Sequence, residues 1–251
     1  MSGRSDLATT AAIAVTAYAA CDLVHEVIGH GVAAWMTPGV EALSLSSVAL
    51  QTSGESRLVA AAGSIANVAA GAIALGLFRR IDRFSPAAFF WWLFGAVNLL
   101  NGTGYLIFSA ALGFGDWEVV IRGCEPAWAW RAAMGAAGVA GYGAVIVLAA
   151  RELARSAAGD VPRLVFTAYV AGGVLLLAAS MLNPISPSLI LTSGASSGFA
   201  AMAGLTLVPA LVERRLRAGP EGALPRSPAW IAIGAIVGAL FVGVIGRGIA
   251  L

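Results

Sequence analysis

The sequence contains no lysine, only two histidines and two cysteines, and few charged side chains of any kind. Charged residues make up 11% of the 251 residues, whereas a typical soluble domain carries about 25%. The two cysteines, Cys21 and Cys124, are too few for a disulfide framework, although they could form one pair if both faced an oxidising compartment. These shortages exclude an ordinary soluble enzyme and a small secreted domain held together by disulfides.

Apolar residues take the place of the missing charges, at 59% of the chain with a mean hydropathy of +0.86. A helix needs about 20 apolar residues to cross the hydrocarbon core of a bilayer. We therefore predict an all-α fold, a polytopic transmembrane helix bundle of about seven spans. The first apolar stretch continues through His25 and His30 into Trp35, so we expect a retained helix and not a cleavable signal peptide. The predicted helices lie at residues 7–35, 57–78, 85–113, 131–150, 163–182, 187–211 and 229–250.

The connections between the predicted spans differ in composition. Residues 41–52 alternate partly between apolar and polar side chains, which predicts a strand or hairpin near the membrane surface after the first span. The two prolines in 183–187 separate the fifth span from the sixth, and residues 213–228 form a polar connection, rich in arginine and proline, before the seventh.

All fifteen basic residues are arginines, and their distribution predicts the orientation of the chain. If seven spans alternate, eleven arginines lie on one side of the membrane, and only Arg57, Arg122, Arg131 and Arg247 lie on the other. Cytoplasmic loops carry the excess of positive charge in membrane proteins, so we expect a cytoplasmic N-terminus and a C-terminus outside. The basic loops are not interleaved with aromatic residues, and no nucleic-acid partner is expected.

Inside the first predicted span, a stretch of nine residues contains four ionisable side chains: Asp22, His25, Glu26 and His30. Such residues are costly to bury in a bilayer and persist when they pair, line a wet cavity or bind a metal. Both histidines of the chain belong to this cluster, which favours a zinc site. The alternative is a hydrogen-bonded polar cluster that only locks helices together.

The spacing of the two histidines differs from that of a standard zincin helix. The segment has the pattern His-Glu-x-x-Gly-His, in which the second histidine follows the first by five residues and not by four. On a regular helix a five-residue step turns about 500° and leaves the two rings about 140° apart. A π-bulge absorbs one residue and returns both rings to one face. We therefore predict a π-bulge or local break around Val27 to His30, with Gly29 as the permissive position.

The same six-residue pattern occurs in the soluble metallopeptidase dipeptidyl peptidase III, where it binds catalytic zinc; that resemblance covers these six residues alone. A second resemblance covers more of the chain. It begins with the same helix and continues with the predicted β element. It then includes Gly63-Ser-Ile-Ala-Asn67 in the second span and Asn98-Leu-Leu-Asn101 in the third. In this order the chain resembles the site-2 protease family of intramembrane zinc metalloproteases. The resemblance covers about residues 1–120, a metalloprotease-like core, and leaves 121–251 as an additional four-helix transmembrane region.

The chain also departs from that family. Ser64 stands where the family has proline, and the family's Leu-Asp-Gly ligand motif does not follow Asn98. The third metal ligand must therefore come from elsewhere, and Asp116 at the end of the third span is our prediction, with Glu118, Cys21 or Cys124 as alternatives. The family's site lies toward the cytoplasm, whereas the arginine count places this one toward the outer side.

Each polar residue of the core then receives an expected role. His25, His30 and Asp116 would bind Zn²⁺, and Glu26 would be the general base that takes the proton from the metal-bound water. The resemblance assigns substrate binding to Asn67, Asn98 and Asn101. Asp22 lies one turn before His25 and would orient its ring.

These roles predict a zinc-dependent hydrolase embedded in the membrane, a metalloprotease that cleaves a transmembrane or membrane-proximal peptide beside the strand at 41–52. One alternative is a zinc amidase acting on a lipid, which a lipid-shaped cavity would distinguish. Another is a non-catalytic membrane protein whose polar or metal cluster is structural or regulatory. The expected partners are membrane lipids and the peptide substrate, and the expected location is the bacterial inner membrane.

Overall fold

The computed structural model describes residues 4–156, 159–183, 190–213 and 222–251. Within these residues, seven helices are long and apolar enough to cross a membrane, which confirms the predicted all-α bundle. Exposed apolar side chains such as Ile73, Val139 and Ile236 cover the outside of the bundle, as expected for a surface that contacts lipid. The spans are Leu7–Met36, Arg57–Phe78, Pro86–Leu112, Ala127–Arg155, Val161–Ser180, Ser193–Glu213 and Pro228–Ile245.

The first three spans begin at side chains that cap the helix. Asp6 accepts a hydrogen bond from the Thr9 N–H at 2.8 Å, and Ser56 and Ser85 cap the second and third spans in the same way. These caps satisfy N–H groups that have no partner within the helix. The third span ends at Gly113, whose φ of 63° lies in the left-handed region that glycine adopts without strain.

The predicted β element is confirmed as a hairpin between the first two spans. Strand β1, Ala42–Leu45, pairs antiparallel with strand β2, Leu50–Thr52, with an irregularity in register between Ala42 and Ser44. A third strand, β3, Ile249–Ala250, pairs with β1 on its other side, so the order of the strands in the described part of the chain is β2-β1-β3.

Strand β3 corrects the prediction that the seventh helix continues to residue 250. The last helical segment ends at Ile245, and Gly248 has a φ of 81°. This backbone turns the chain back toward β1, where the Leu251 N–H donates to the Leu43 carbonyl at 3.0 Å. A two-residue strand has no periodicity of its own, so the sequence pattern could not separate it from the helix before it.

The pairing of β1 with β3 supports the count of seven spans. Strand β1 follows the first span and β3 follows the seventh, so the chain must cross the membrane an even number of times between them. At the opposite end of the bundle, the Asp6 N–H donates to the Leu224 carbonyl at 2.9 Å, and the Arg163 Nε donates to the Ser5 carbonyl at 3.1 Å. If the seven spans alternate in direction, these segments lie on the same side of the membrane, and the structure shows them in contact there.

Two other helices differ from their predicted bounds. The fourth runs over Ala127–Arg155, longer at both ends than the predicted 131–150. The sixth span is irregular, with a π segment at Ile190–Ala200, a 3₁₀ turn at Ala203–Leu207 and an α-helix at Val208–Glu213. Residues 184–187 of the predicted break and residues 214–221 of the predicted connection lie outside the described residues.

The polar cluster lies in the half of the first span that is nearer the sheet. There the first span packs against the second, and the second packs in turn against the third. The main apolar core lies toward the other half and contains large buried side chains such as Tyr18, Phe89 and Trp92. The cluster is thus enclosed by three helices and covered by the hairpin and the chain that follows the third span.

Candidate metal centre

The two histidines come together because the first span is not a regular α-helix where they lie. Its α-helical start, Leu7–Leu23, is followed by a π-helical segment at Val24–Gly31 and a last α-helical turn at Val32–Met36. This confirms the π-bulge predicted from the five-residue spacing. The His25 and His30 rings are both buried, with centroids 4.7 Å apart in an edge-to-face arrangement.

The π segment approaches the second span so closely that both helices need glycine at the contact. An added Cβ at Gly29 would lie 2.5 Å from the Gly63 Cα. We expected Gly29 to permit the helical distortion, and the structure gives it a further role in the close approach of the backbones. This contact brings the second span under the two imidazole rings.

The chain after the third span turns back over the rings. Gly113 and Gly115 have φ values of 63° and 93°, and the short helix Asp116–Ile121 begins directly after them. Trp117 anchors this helix, because its Nε1 donates to the Ser64 Oγ at 3.0 Å. Asp116 Oδ2 then lies 3.0 Å from the Nε2 of His25 and 3.2 Å from the Nε2 of His30.

Each histidine ring forms a hydrogen bond through Nδ1, on the side away from Asp116. This hydrogen bond determines which ring nitrogen carries the proton and which has a free lone pair. His30 Nδ1 lies 2.7 Å from the Val59 carbonyl oxygen, which only accepts, so this nitrogen carries the proton. His25 Nδ1 lies 2.6 Å from Asn67 Oδ1 and donates to it. In both neutral rings the Nε2 lone pair is therefore directed toward the same point, as metal-binding histidines require.

Three asparagines form the support of His25. The Asn67 amide donates to Asn98 Oδ1 at 2.8 Å and to the Cys21 carbonyl at 3.1 Å, which leaves Asn67 Oδ1 to accept from His25. The Asn101 amide donates to Asn67 Oδ1 at 3.1 Å. All three side chains are buried. Their amides position the ring, and the substrate contact expected of them stays a prediction.

The donor atoms fit a tetrahedral zinc site. Zinc bonds of about 2.0–2.1 Å place two tetrahedral donors about 3.3 Å apart, close to the distances from Asp116 Oδ2 to the two Nε2 atoms. Glu26 is the other acidic neighbour, and the ligand atoms of His25, Glu26 and His30 lie within 4.8 Å of one another. Glu26 Oε2, however, accepts the Leu50 N–H of β2 at 2.6 Å. Asp116, whose Oδ2 lies close to both Nε2 atoms, and Glu26 are therefore the two carboxylates that could complete a metal site with the histidines.

Asp116 lies just outside the membrane-spanning helices, and its ionisation depends on the two histidines. Burial favours the neutral carboxyl and by itself would raise its pKa. When protons occupy the two Nε2 atoms in place of a metal, hydrogen bonds from His25 and His30 outweigh burial and hold the pKa of Asp116 below its usual range. The carboxyl group is therefore ionised at neutral pH, as a metal ligand must be.

Asp22 does not take the position that the sequence predicted for it. Asn67, on the second span, occupies the site beside His25 Nδ1, and Asp22 Oδ2 is buried with no hydrogen-bond partner among the described residues. A side chain on a neighbouring helix can approach the ring along its Nδ1 axis, whereas one on the same helix lies to its side.

The contacts found among the described residues do not join any of the alternative third ligands to either Nε2 atom. Glu118 Oε1 pairs with Arg131 at 3.0 Å. Cys124 is a half-buried free thiol beyond the short helix. Cys21 is also free, and its Sγ lies 3.6 Å from the Asn67 amide nitrogen.

Three contributors to the site were not predicted. Tyr105 stacks on His25, with ring centroids 4.9 Å apart and an interplanar angle of 28°. Trp117 anchors the short helix, and Gly63 leaves space beside the Nε2 atoms. Gly63 belongs to a motif that the sequence analysis singled out, and Trp117 directly follows the predicted ligand. For Tyr105 no sequence signal distinguishes it from the other aromatic residues of the spans.

Two cavities lead to the centre. A cleft of about 150 Å³ passes along β2 and is lined by Leu50, Thr52, Glu26, His30 and Asp116. A larger, mainly apolar cavity of about 510 Å³ lies between the third, fourth and sixth spans. Its lining includes Tyr105, Phe108, Leu112, Phe114 and Asp116.

Comparison with protein-family models, with curated proteins and with solved structures found no match. The geometry of the centre is therefore the ground for a functional proposal.

Proposed function

We propose that this membrane protein is a zinc-dependent hydrolase that cleaves peptide bonds within or beside the bilayer. One observation carries the proposal: the Nε2 atoms of His25 and His30 converge on Asp116 Oδ2, while separate acceptors fix both Nδ1 protons on the opposite sides. A structural polar cluster needs paired groups, but it does not need two lone pairs and a carboxylate directed at one point. A divalent cation would also compensate the buried charges of Glu26 and Asp116.

Each residue around this point would have a separate role in the hydrolysis reaction. His25, His30 and Asp116 would hold a zinc ion, which would supply a Lewis acid and make a water molecule acidic enough to lose its proton near neutral pH. Glu26 adjoins the cleft and is not needed as a ligand, so its carboxylate takes a proton from the attacking water and later delivers it to the leaving amine. Asn67 keeps His25 in the correct tautomer throughout, and the Val59 carbonyl does the same for His30.

The cleft beside β2 supports a peptide as the substrate. Strand β2 is an edge strand of the sheet formed by the described residues, and Leu50 and Thr52 line the cleft together with Glu26. An extended peptide added along such an edge gains main-chain hydrogen bonds. A substrate helix would have to unwind to bind in this way, which exposes the peptide bond to attack.

The apolar cavity supports a second candidate, a zinc amidase acting on a lipid. Its volume of about 510 Å³ is within the range of small-molecule pockets, and Phe108, Leu112 and Phe114 give it a lining suited to an acyl chain. Asp116 lies at its edge, so an amide at the head of the chain would lie near the metal position. Fluorescently labelled casein and a fluorescent N-acyl amide lipid, offered to the same preparation, distinguish the two substrates.

The first test of the proposal is the metal content of the protein purified in detergent without chelator. We expect about one zinc ion per chain in the wild type and its loss in His30→Ala and in Asp116→Ala, because each variant removes one of three ligands. Elemental analysis of the purified chains measures this directly. Glu118→Ala is the matched control, since it removes a carboxylate from the same short helix and should retain zinc.

Two results would overturn this assignment. If the purified wild-type protein contained no metal, the result would favour a non-catalytic protein in which the polar cluster holds helices together. Zinc lost in Glu118→Ala but retained in Asp116→Ala would transfer the third ligand to Glu118.

We also propose that the chain lies in the bacterial inner membrane with its N-terminus in the cytoplasm and the metal centre toward the outer side. The excess of arginine on one side supports this orientation. Cys124 lies in a loop on the side of the metal centre, so a membrane-impermeant maleimide should label it in intact spheroplasts. Cys124→Ser should abolish the labelling, because Cys21 is buried. Labelling that requires permeabilised membranes would reverse the orientation.

A further inference from the structure

Four buried polar atoms that have no hydrogen-bond partner among the described residues line one small cavity. They are Tyr18 Oη, Asp22 Oδ2, Ser47 Oγ and Asn101 Oδ1. They come from the first span, from the hairpin and from the third span, so their meeting is a property of the tertiary structure. A buried polar atom without a partner is destabilising, and four around one cavity indicate a common partner.

The cavity has the volume and the chemistry for a single water molecule. It measures about 20 Å³, and a cavity needs about 10–15 Å³ to hold one water. The Tyr18 and Ser47 hydroxyls can donate, while Asp22 Oδ2 and Asn101 Oδ1 accept. A water accepts two hydrogen bonds and donates two, so one molecule satisfies all four atoms.

The cavity also touches the catalytic machinery, because His25 and Glu26 belong to its lining. The cleft along β2 reaches Glu26 as well. Glu26, Val48 and Tyr105 line both the small cavity and the cleft, and Glu26 is the one carboxyl group among these three. Asp22, one turn before Glu26 on the first span, contributes a buried carboxyl group to the small cavity.

We propose that this cavity is a binding site for one ordered water, held by Tyr18, Asp22, Ser47 and Asn101 behind Glu26. Asp22 is then a positioning residue for this water, beside Glu26, and not for the His25 ring. The water site follows from the cavity alone, whereas its role beside the general base rests on the proposed hydrolase function. In that role the water fills the cavity beside Glu26 and keeps in place the side chains that surround the general base.

X-ray radiolytic footprinting tests the water site without a substrate. Radiolysis converts water to hydroxyl radicals in place, so a buried ring beside an ordered water is hydroxylated, whereas an equally buried ring in an apolar core is not. We expect hydroxylation of Tyr18 in the wild-type protein, detected by mass spectrometry, despite its complete burial. Phe89 and Trp92, also fully buried but within the apolar core, are the controls and should remain unmodified.

The variant Asp22→Leu tests the role of the carboxylate. Removal of the Asp22 carboxyl group should abolish the labelling of Tyr18 while zinc stays at the wild-type level, because Asp22 is not a proposed ligand. Tyr18 labelling no greater than that of Phe89 in the wild type would overturn the water site. Zinc content, measured on the same sample, reports separately on the proposed hydrolase: a labelled Tyr18 in a protein without zinc would retain the water site and remove its catalytic role.

Discussion

Replacement of Gly63 with alanine will abolish zinc binding and leave the helix bundle folded. An added Cβ at this position would lie 2.6 Å from His30 Nε2 and 2.7 Å from His25 Nε2, within the space that a bound metal needs. Moving the second span away from the rings would instead open the close packing of Gly63 against Gly29 of the π segment. Both rings would have to rotate away from Asp116, and their Nδ1 hydrogen bonds oppose that rotation.

The effect should exceed that of losing an outer-shell partner, which lowers metal affinity about 10–100-fold. We therefore expect a loss of about 100-fold or more in zinc affinity, measured by competition with a chromogenic chelator. Gly76→Ala is the control on the same helix, since an added Cβ there meets nothing within 4 Å. Thermal unfolding of both variants in detergent shows that the bundle persists. Wild-type zinc affinity in Gly63→Ala would mean that the metal binds elsewhere.

The sequence predicts those features of the centre that depend on residue spacing within a helix or on the order of the spans. A five-residue step between His25 and His30 is incompatible with one face of an α-helix, so a metal site there required the π-bulge that the structure contains. The proximity of Asp116 followed from the alternation of spans, which placed the end of the third at the depth of the histidines. Neither inference needed the packing of side chains.

The sequence did not predict the features that depend on packing between elements far apart in the chain. Asp22 and Asn67 were both available as partners for His25, and the packing of the second span, set by the Gly29–Gly63 contact, selects Asn67. The same contact gives Gly63 its steric role. Strand β3 depends on a partner, β1, that lies some 200 residues earlier in the chain, and no local pattern announces such a pairing.

The two substrate candidates differ in the path by which they reach the metal position. A peptide would enter along β2, where the Leu50 N–H now binds Glu26. An acyl chain would enter from the lipid between the third and fourth spans and bring its head group to Asp116. Both paths would end at the same three proposed ligands and the same proposed base, so variants of the centre would not separate them. Variants of the cavity lining, such as Phe108→Trp, should reduce cleavage of the lipid and leave that of casein unchanged.

Glu26→Gln will retain zinc and lose hydrolysis. Glutamine has the size of glutamate and its amide oxygen can still accept the Leu50 N–H, so the structure around it should persist. The amide cannot take a proton from water, and general-base catalysis contributes about 10²–10⁴-fold to a rate. We expect the turnover of whichever probe the wild type cleaves, labelled casein or the N-acyl lipid, to fall by about that factor, with zinc content unchanged.

Glu55→Gln is the matched control, because Glu55 lines the outer part of the cleft, is 68% exposed at its side chain and pairs with Arg122. It should retain both zinc and activity. Full activity in Glu26→Gln would assign the base to another group. Loss of zinc in Glu26→Gln would instead make Glu26 a ligand, as its distance from His25 and His30 allows. In that case Asp116 would become the candidate base, and Asp116→Asn, with zinc retained and activity lost, would identify it.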